Sequence, residues 1–102
     1  MFRVILGIYS DPLQMKELFK DMENVLQNIC KPARIGASYI CSPSPTSLVT
    51  AVFKEREAKP MLLLFMIESE NAQEVVRFAT EISQRLKSMG IHSSLLSTDE
   101  TA

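Results

Sequence analysis

The segment at residues 60–69, PMLLLFMIES, contains seven consecutive apolar residues. A β-strand that exposes one face of its sheet to water normally alternates apolar and polar side chains. The run is too short to cross a bilayer as a helix, which takes about 20 apolar residues. It therefore predicts a strand whose two faces are both covered, so the fold has to supply a cover for each face.

The composition fits a single small domain spanning residues 1–102. Formal net charge is −1, and both signs of charge are spread along the chain. Because nucleic-acid binders usually carry a basic stripe, and proteins of anionic membrane surfaces a basic cluster, we expect neither partner. The apolar segment at residues 4–8 is too short for a signal-peptide core, and we expect a cytoplasmic protein.

The first half of the chain predicts a strand, a helix and a second strand. Residues 2–9, FRVILGIY, are rich in β-branched and aromatic residues and are typical of a strand. Asp11 with Gln14 forms a capping-box pattern, and Pro12 suits the first helical position. Apolar residues then recur at helical spacing over about five turns: Leu18, Phe19, Met22, Val25, Leu26 and Ile29. Pro32 ends this helix, and ARIGASYIC follows as one strand.

The second half repeats this order after an insert. The insert contains a turn, SPSPTS, and a strand, LVTAVFK, and it precedes the apolar segment. Asn71 with Glu74 forms a second capping-box pattern, and Gly90 suits the end of the helix. The apolar stripe of this helix has seven members: Ala72, Val75, Val76, Ala79, Ile82, Leu86 and Met89. IHSSLLS then predicts the last strand.

This order predicts an α+β, ferredoxin-like β-α-β-(β)-β-α-β sandwich, with two helices on one face of a mainly antiparallel sheet. The two β-α-β half-repeats are residues 2–41 and 60–97, the insert is 42–59, and a flexible tail is expected at 98–102. The first strand and the apolar strand should lie side by side at the centre. Internal duplication and shared pattern both remain open as explanations of the similar halves. The rival fold is a parallel α/β sheet, but two helices are few to cover both of its faces.

Strand alternation predicts an apolar surface on the side away from the helices. This predicted interaction surface consists of Ile5, Tyr9, Leu62, Leu64 and Met66. Arg3 and Glu68 should form a pair at one end of it. Apolar patches of this kind usually mark contact sites. Three covers are open: a second copy of the chain in a homodimer, another protein or peptide, or residues 42–60 of the same chain.

The sequence predicts no catalytic, cofactor-binding or metal site. His92 is the single histidine, and its neighbours Ser93 and Ser94 share a strand with it rather than converging on it. Cys30 and Cys41 would lie on the order of 20 Å apart across an extended strand, so we expect two free thiols. The segment GIYSDP leads into a helix N-terminus, but its single glycine and its aspartate do not favour an anion site.

Two classes of function follow. The first is a non-enzymatic interaction module that binds itself or another protein or peptide through the apolar sheet face. The alternative is a small-molecule-binding regulatory domain or a small dimeric α+β barrel enzyme, to which the chain is similar in predicted fold only. That alternative needs an enclosed pocket with converging polar groups, for which Tyr9, Tyr39 and His92 are the candidates.

Overall fold

The computed structural model describes residues 1–54 and 61–100, which form one antiparallel sheet of six strands and three helices. The strand order across the sheet is β2-β3-β4-β5-β1-β6. The α+β class and the mainly antiparallel sheet are therefore confirmed. The elements in chain order are β1 (Phe2–Ser10), α1 (Pro12–Lys20), α2 (Met22–Val25), β2 (Ala33–Ile35), β3 (Ser38–Cys41), β4 (Ser47–Lys54), β5 (Met61–Ser69), α3 (Ala72–Ser88) and β6 (Ser94–Glu100).

The two most apolar strands, β1 and β5, are paired side by side and antiparallel, as predicted. β4 pairs with the other edge of β5, and β6 pairs with the other edge of β1. β4 contains the predicted strand of the insert and lies within the sheet. This part of the insert therefore extends the sheet and does not cover the apolar strand; residues 55–60 lie outside the described residues.

The segment predicted as the second strand is a hairpin, which is a correction to the expected fold. β2 and β3 pair with each other and are joined by Gly36 and Ala37. Gly36 has φ +62°, a conformation that glycine adopts without steric cost. The sheet consequently has six strands, and neither the ferredoxin-like order nor the duplication is confirmed. At the other end of the sequence, β6 runs to Glu100 and includes residues of the expected tail.

The helices lie on one face of the sheet and form the core with it. Asp11 caps α1, since its Oδ1 accepts from the backbone N–H of Gln14 at 2.8 Å. The expected five-turn helix is interrupted at Asp21, where φ is −99°, and continues as the single turn of α2. The buried residues of this core include Leu6, Ile8, Met15, Leu18, Met22, Val25, Leu26, Val49, Ala51, Leu63, Phe65, Ile67, Val75, Phe78, Ile82 and Leu86.

The stripe of α3 is partly different from the prediction. Val75, Ile82 and Leu86 are buried as expected, but Val76 is 62% exposed and Met89 is at the surface. Phe78 takes the buried position instead. One residue along a helix turns the side chain by about 100°, so Val76 cannot share the face of Val75, whereas Phe78, three residues on, does.

Cys30 and Cys41 form a disulfide, with their Cα atoms 5.7 Å apart. The expectation of two free thiols is therefore wrong. Its error follows from the hairpin, because the turn at Gly36 returns the chain to the end of the helical layer instead of carrying it away. Disulfides persist mainly in oxidising compartments, so this bond does not support the expectation of a cytoplasmic protein.

The helix-free face of the sheet as candidate interaction site

Among residues 1–54 and 61–100, one face of the sheet carries no helix. Because Leu63, Phe65 and Ile67 pack in the core under the helices, alternation places Leu62, Leu64 and Met66 on the opposite side. We call this surface the helix-free face. Its members from the three adjacent strands β4, β5 and β1, with their flanking residues, are Arg3, Ile5, Gly7, Tyr9, Leu48, Thr50, Val52, Lys54, Leu62, Leu64, Met66 and Glu68.

The strand register brings the five predicted surface residues together. Met66 lies between Ile5 of β1 and Thr50 of β4. The next row places Leu64 between Gly7 and Val52. The third row places Leu62 beside Tyr9. Since directly opposite side chains on one face of an antiparallel pair are in contact range, the five residues belong to one continuous patch.

The patch is not equally available over its length. Ile5, Leu64 and Met66 are half-buried, and Tyr9 is 51% exposed. Leu62, in contrast, is 7% exposed within the single chain. A partner on this face would therefore meet Ile5, Leu64, Met66 and Tyr9, whereas Leu62 is already covered within the single chain.

Leu96 completes the patch at the position where β1 has no side chain. The β1–β6 pairing contains a bulge: Ile5 is opposite Ser97 and Leu6 is opposite Leu95, so Leu96 is the extra residue. A Cβ atom built on Gly7 would lie 2.6 Å from the Leu96 Cδ1 atom, which shows that Leu96 lies over Gly7. Leu96 is 44% exposed and thus adds apolar surface to the helix-free face.

Sequence reasoning missed Leu96 because a bulge breaks the alternation on which the face was assigned. The available signal was Gly7 itself. An isolated glycine inside an apolar strand often marks a bulge or the close approach of another group.

The charged end of the helix-free face is paired internally, as predicted. The Arg3 Nε atom lies 3.6 Å from the Glu68 Oε2 atom. Both side chains are partly exposed, so the pair adds little to the stability of the fold. Its consequence is electrostatic, since this end of the apolar patch presents two opposite charges that neutralise each other.

The polar candidates of the alternative function are not brought together. Tyr39 lies opposite Ala51 on the helix-covered side, where its hydroxyl donates to the backbone oxygen of Phe19 at 3.1 Å. Tyr9 lies on the helix-free face, so the sheet separates the two tyrosines. His92 is exposed and precedes β6. Across residues 1–54 and 61–100, no three His, Cys, Asp or Glu side chains are grouped closely enough to hold a metal ion.

A cluster of hydroxyl groups fixes the start of α3. The Glu74 Oε1 atom accepts from the hydroxyls of Ser69 at 2.9 Å, Thr46 at 3.0 Å and Ser44 at 3.3 Å. These hydrogen bonds, that of Ser69 first, lower the pKa of Glu74. Glu74 therefore does not reach back to the N-cap residue as a capping box would. The Asn71 backbone N–H instead donates to the Ser69 hydroxyl at 3.0 Å.

Comparison with known proteins gives no relative: no family model, no curated protein and no solved structure matches this chain. No helix within the described part of the chain has both the length and the apolar character needed to span a membrane.

Proposed function

We propose that this chain is a non-enzymatic protein–protein interaction module that self-associates through the helix-free face. The observation that carries the proposal is the continuous apolar patch around Leu64 and Met66, on the side of the sheet without helices. Hiding a large apolar side chain from water stabilises by roughly 1.5–3 kcal/mol. Contiguous patches of this kind on a protein surface mark contact sites.

The dimensions of the face support a partner that is itself a flat surface. Six strands at about 4.8 Å spacing give a width of roughly 24 Å, and nine residues at about 3.4 Å give β5 a length of roughly 30 Å. A standard interface covers about 800 Å² on each partner, which is comparable. Two sheets of this kind pack face to face at about 10 Å separation.

A second copy of the chain is the occupant that we propose, because the face is complementary to itself. In a two-fold dimer the same patch lies on both sides, so Leu64 and Met66 meet apolar residues. The charges of Arg3 and Glu68 are already paired within each chain and need no partner. Another protein or peptide is the second possible occupant. The small-molecule alternative is not favoured, because Tyr9, Tyr39 and His92 do not line one site.

The finer fold assignment belongs to the same proposal. We infer a ferredoxin-like core made of β4, β5, β1 and β6, with the β2–β3 hairpin added at its edge. The neighbour order of these four strands supports the assignment. In such a core the open side of the sheet is free for a face-to-face contact.

The test is the molecular mass of the Leu64→Lys variant in solution. In the dimer this change introduces two like charges into an apolar contact, where an unpaired charge is strongly unfavourable. We expect the wild type to be a dimer and Leu64→Lys to be a folded monomer by sedimentation equilibrium, with circular dichroism as the folding check. Leu13→Lys is the matched control, since Leu13 is 69% exposed on α1 and should leave the dimer intact.

Two outcomes would contradict the proposal. A wild type that stays monomeric at high concentration removes self-association. A Leu64→Lys variant that remains dimeric places the contact on another surface. Loss of the dimer in Leu13→Lys as well would show that the added charge acts on the whole protein and not on the helix-free face.

A further inference from the structure

The β2–β3 hairpin forms one edge of the described sheet and is joined to the helical layer by the Cys30–Cys41 disulfide. β2 has three residues, all exposed, and pairs with β3. β3 is in turn held by four residue pairs to β4, and Cys41 is its last residue. Cys30 lies in the segment after α2. An edge with so short a ladder and so little buried surface opens more easily than the centre of a sheet.

The same hairpin extends the helix-free face. Ile40 lies opposite Thr50, and Ser38 lies opposite Val52, both members of that face. Ile35 pairs with Ser38 and is 67% exposed, so it belongs to the outer border of the same side. The position of the hairpin therefore decides how far the apolar surface reaches beyond β4.

We propose that the Cys30–Cys41 bond is a redox-controlled clasp whose reduction loosens the hairpin and thereby shortens the helix-free face; the effect on association rests on the proposed function. The bond lies on the helix-covered side, since Cys41 is opposite the buried Val49. The bond links the hairpin covalently to the segment after α2. This link keeps Ile35 and Ile40 aligned with the rest of the sheet.

The burial of the two sulfur-bearing residues sets the order of the chemical steps. Cys41 is 6% exposed and Cys30 is half-buried, so an external thiolate reaches the Cys30 sulfur. Its attack breaks the S–S bond and forms a mixed disulfide with Cys30, while Cys41 leaves as a thiolate and takes up a proton. The second thiol of a dithiol reductant then displaces Cys30 and forms the reductant's own disulfide, which balances the two electrons.

Reduction should loosen the hairpin without unfolding the domain, because other contacts remain. The Phe19 ring packs edge-on against Tyr39 with centroids 5.1 Å apart, and the Arg34 guanidinium lies 4.6 Å from the centre of the same ring. The Phe53 backbone N–H also donates to the Ala37 oxygen at 3.2 Å. β3 should therefore stay paired to β4, and the loosening should be strongest in β2 and the turn at Gly36.

The experiment compares amide hydrogen exchange in protein equilibrated with oxidised glutathione and in protein reduced with dithiothreitol. We expect exchange at residues 33–38 to be at least tenfold faster after reduction, with α3 unchanged as the internal reference. The Cys30→Ala/Cys41→Ala variant should exchange at the fast rate with and without dithiothreitol. Two titratable thiols in the glutathione-equilibrated protein, or equal exchange in both states, would overturn the clasp.

Sedimentation of the same samples tests the link to association. We expect the dimer dissociation constant to rise about tenfold on reduction. Faster exchange with an unchanged dissociation constant would overturn the coupling to the helix-free face. A wild type that is monomeric in both the oxidised and the reduced state refutes the proposed function. The hydrogen-exchange result then tests the clasp independently.

Discussion

The two faces of β5 are made of similar residues but are completed in different ways. Phe65 is fully buried beneath the helices, whereas its neighbour Leu64 is half-buried on the helix-free face. The helix-covered side obtains its contacts within the chain. The side chains on the helix-free face are only partly covered by the chain itself. One apolar run therefore stabilises the fold through one set of residues and offers a contact surface through the alternate set.

The strongest test of this difference is to truncate the two neighbours separately. Phe65→Ala should lower the free energy of unfolding by about 3–5 kcal/mol, because it removes a fully enclosed ring and leaves a cavity. Leu64→Ala should cost roughly 1 kcal/mol, since much of the lost side chain faces outward. Urea denaturation at low protein concentration measures both values without the contribution of association.

Equal costs for the two variants would break the distinction between the faces. Phe65→Leu serves as the control, because it keeps an apolar side chain in the cavity and should cost less than the alanine variant. A Leu64→Ala cost that grows with protein concentration would connect this residue to the dimer.

A smaller effect on the free energy of unfolding is expected at Gly7, where β1 meets β6. A methyl group added there lies 2.6 Å from the Leu96 Cδ1 atom and 3.0 Å from its Cγ atom, so Leu96 has to move. We expect Gly7→Ala to destabilise by about 1 kcal/mol, the lower end of the range for added atoms in packed sites. Hydrogen exchange near Leu96 should become faster in this variant.

The Gly7→Ala/Leu96→Ala double variant sharpens the same point. Its total cost should be smaller than the sum of the two single costs, because the clash disappears when the leucine is truncated. Additive costs would mean that Leu96 does not lie over Gly7 in solution.

The smallest effect on the free energy of unfolding concerns Glu74, the carboxylate that accepts three hydrogen bonds at the start of α3. Hydrogen bonds from Ser69, Thr46 and Ser44 hold the pKa of Glu74 below its ordinary value of 4.5. The unfolded chain then binds the proton first as the pH falls, so the stability from Glu74 is complete above 4.5 and is lost below it. Glu74→Gln should flatten the rise of stability with pH in this acidic window and leave the slope near pH 7 unchanged.

Urea midpoints measured between acidic and neutral pH test this expectation. Ser69→Ala removes the donor with the largest effect on the pKa and should weaken the same pH dependence in part. An unchanged acidic slope in Glu74→Gln would assign the pH dependence to other carboxylates.

The features that the sequence predicted are those with a regular period. Alternation in β1 and β5 placed Leu64 and Met66 on one side and paired Arg3 with Glu68. Helical spacing identified Val25, Ile82 and several other buried residues of the helical segments. These patterns are local and depend on side-chain direction alone, which the backbone geometry of a strand or helix determines.

The features that it missed depend on single irregular positions. The turn at Gly36 divides one predicted strand into two. Glycine can adopt the left-handed backbone conformation found there, but a glycine in a sequence does not have to adopt it. The disulfide, the strand order and the bulge at Leu96 all follow from such positions. A change of chain direction at one residue alters the distances to all the residues that follow. A periodic pattern of apolar residues does not predict such a change.

The place of β1 inside the sheet, between β5 and β6, has a consequence for how the protein is made. β1 is translated before both of its neighbours, because β5 and β6 come much later in the sequence. At synthesis rates of about 5–20 residues per second, the intervening segment takes seconds to appear. During that time an apolar strand has two unsatisfied edges, and such non-local pairing is intrinsically slow. We therefore expect the β1 segment of the nascent chain to be prone to aggregation and chaperone binding until β6 emerges.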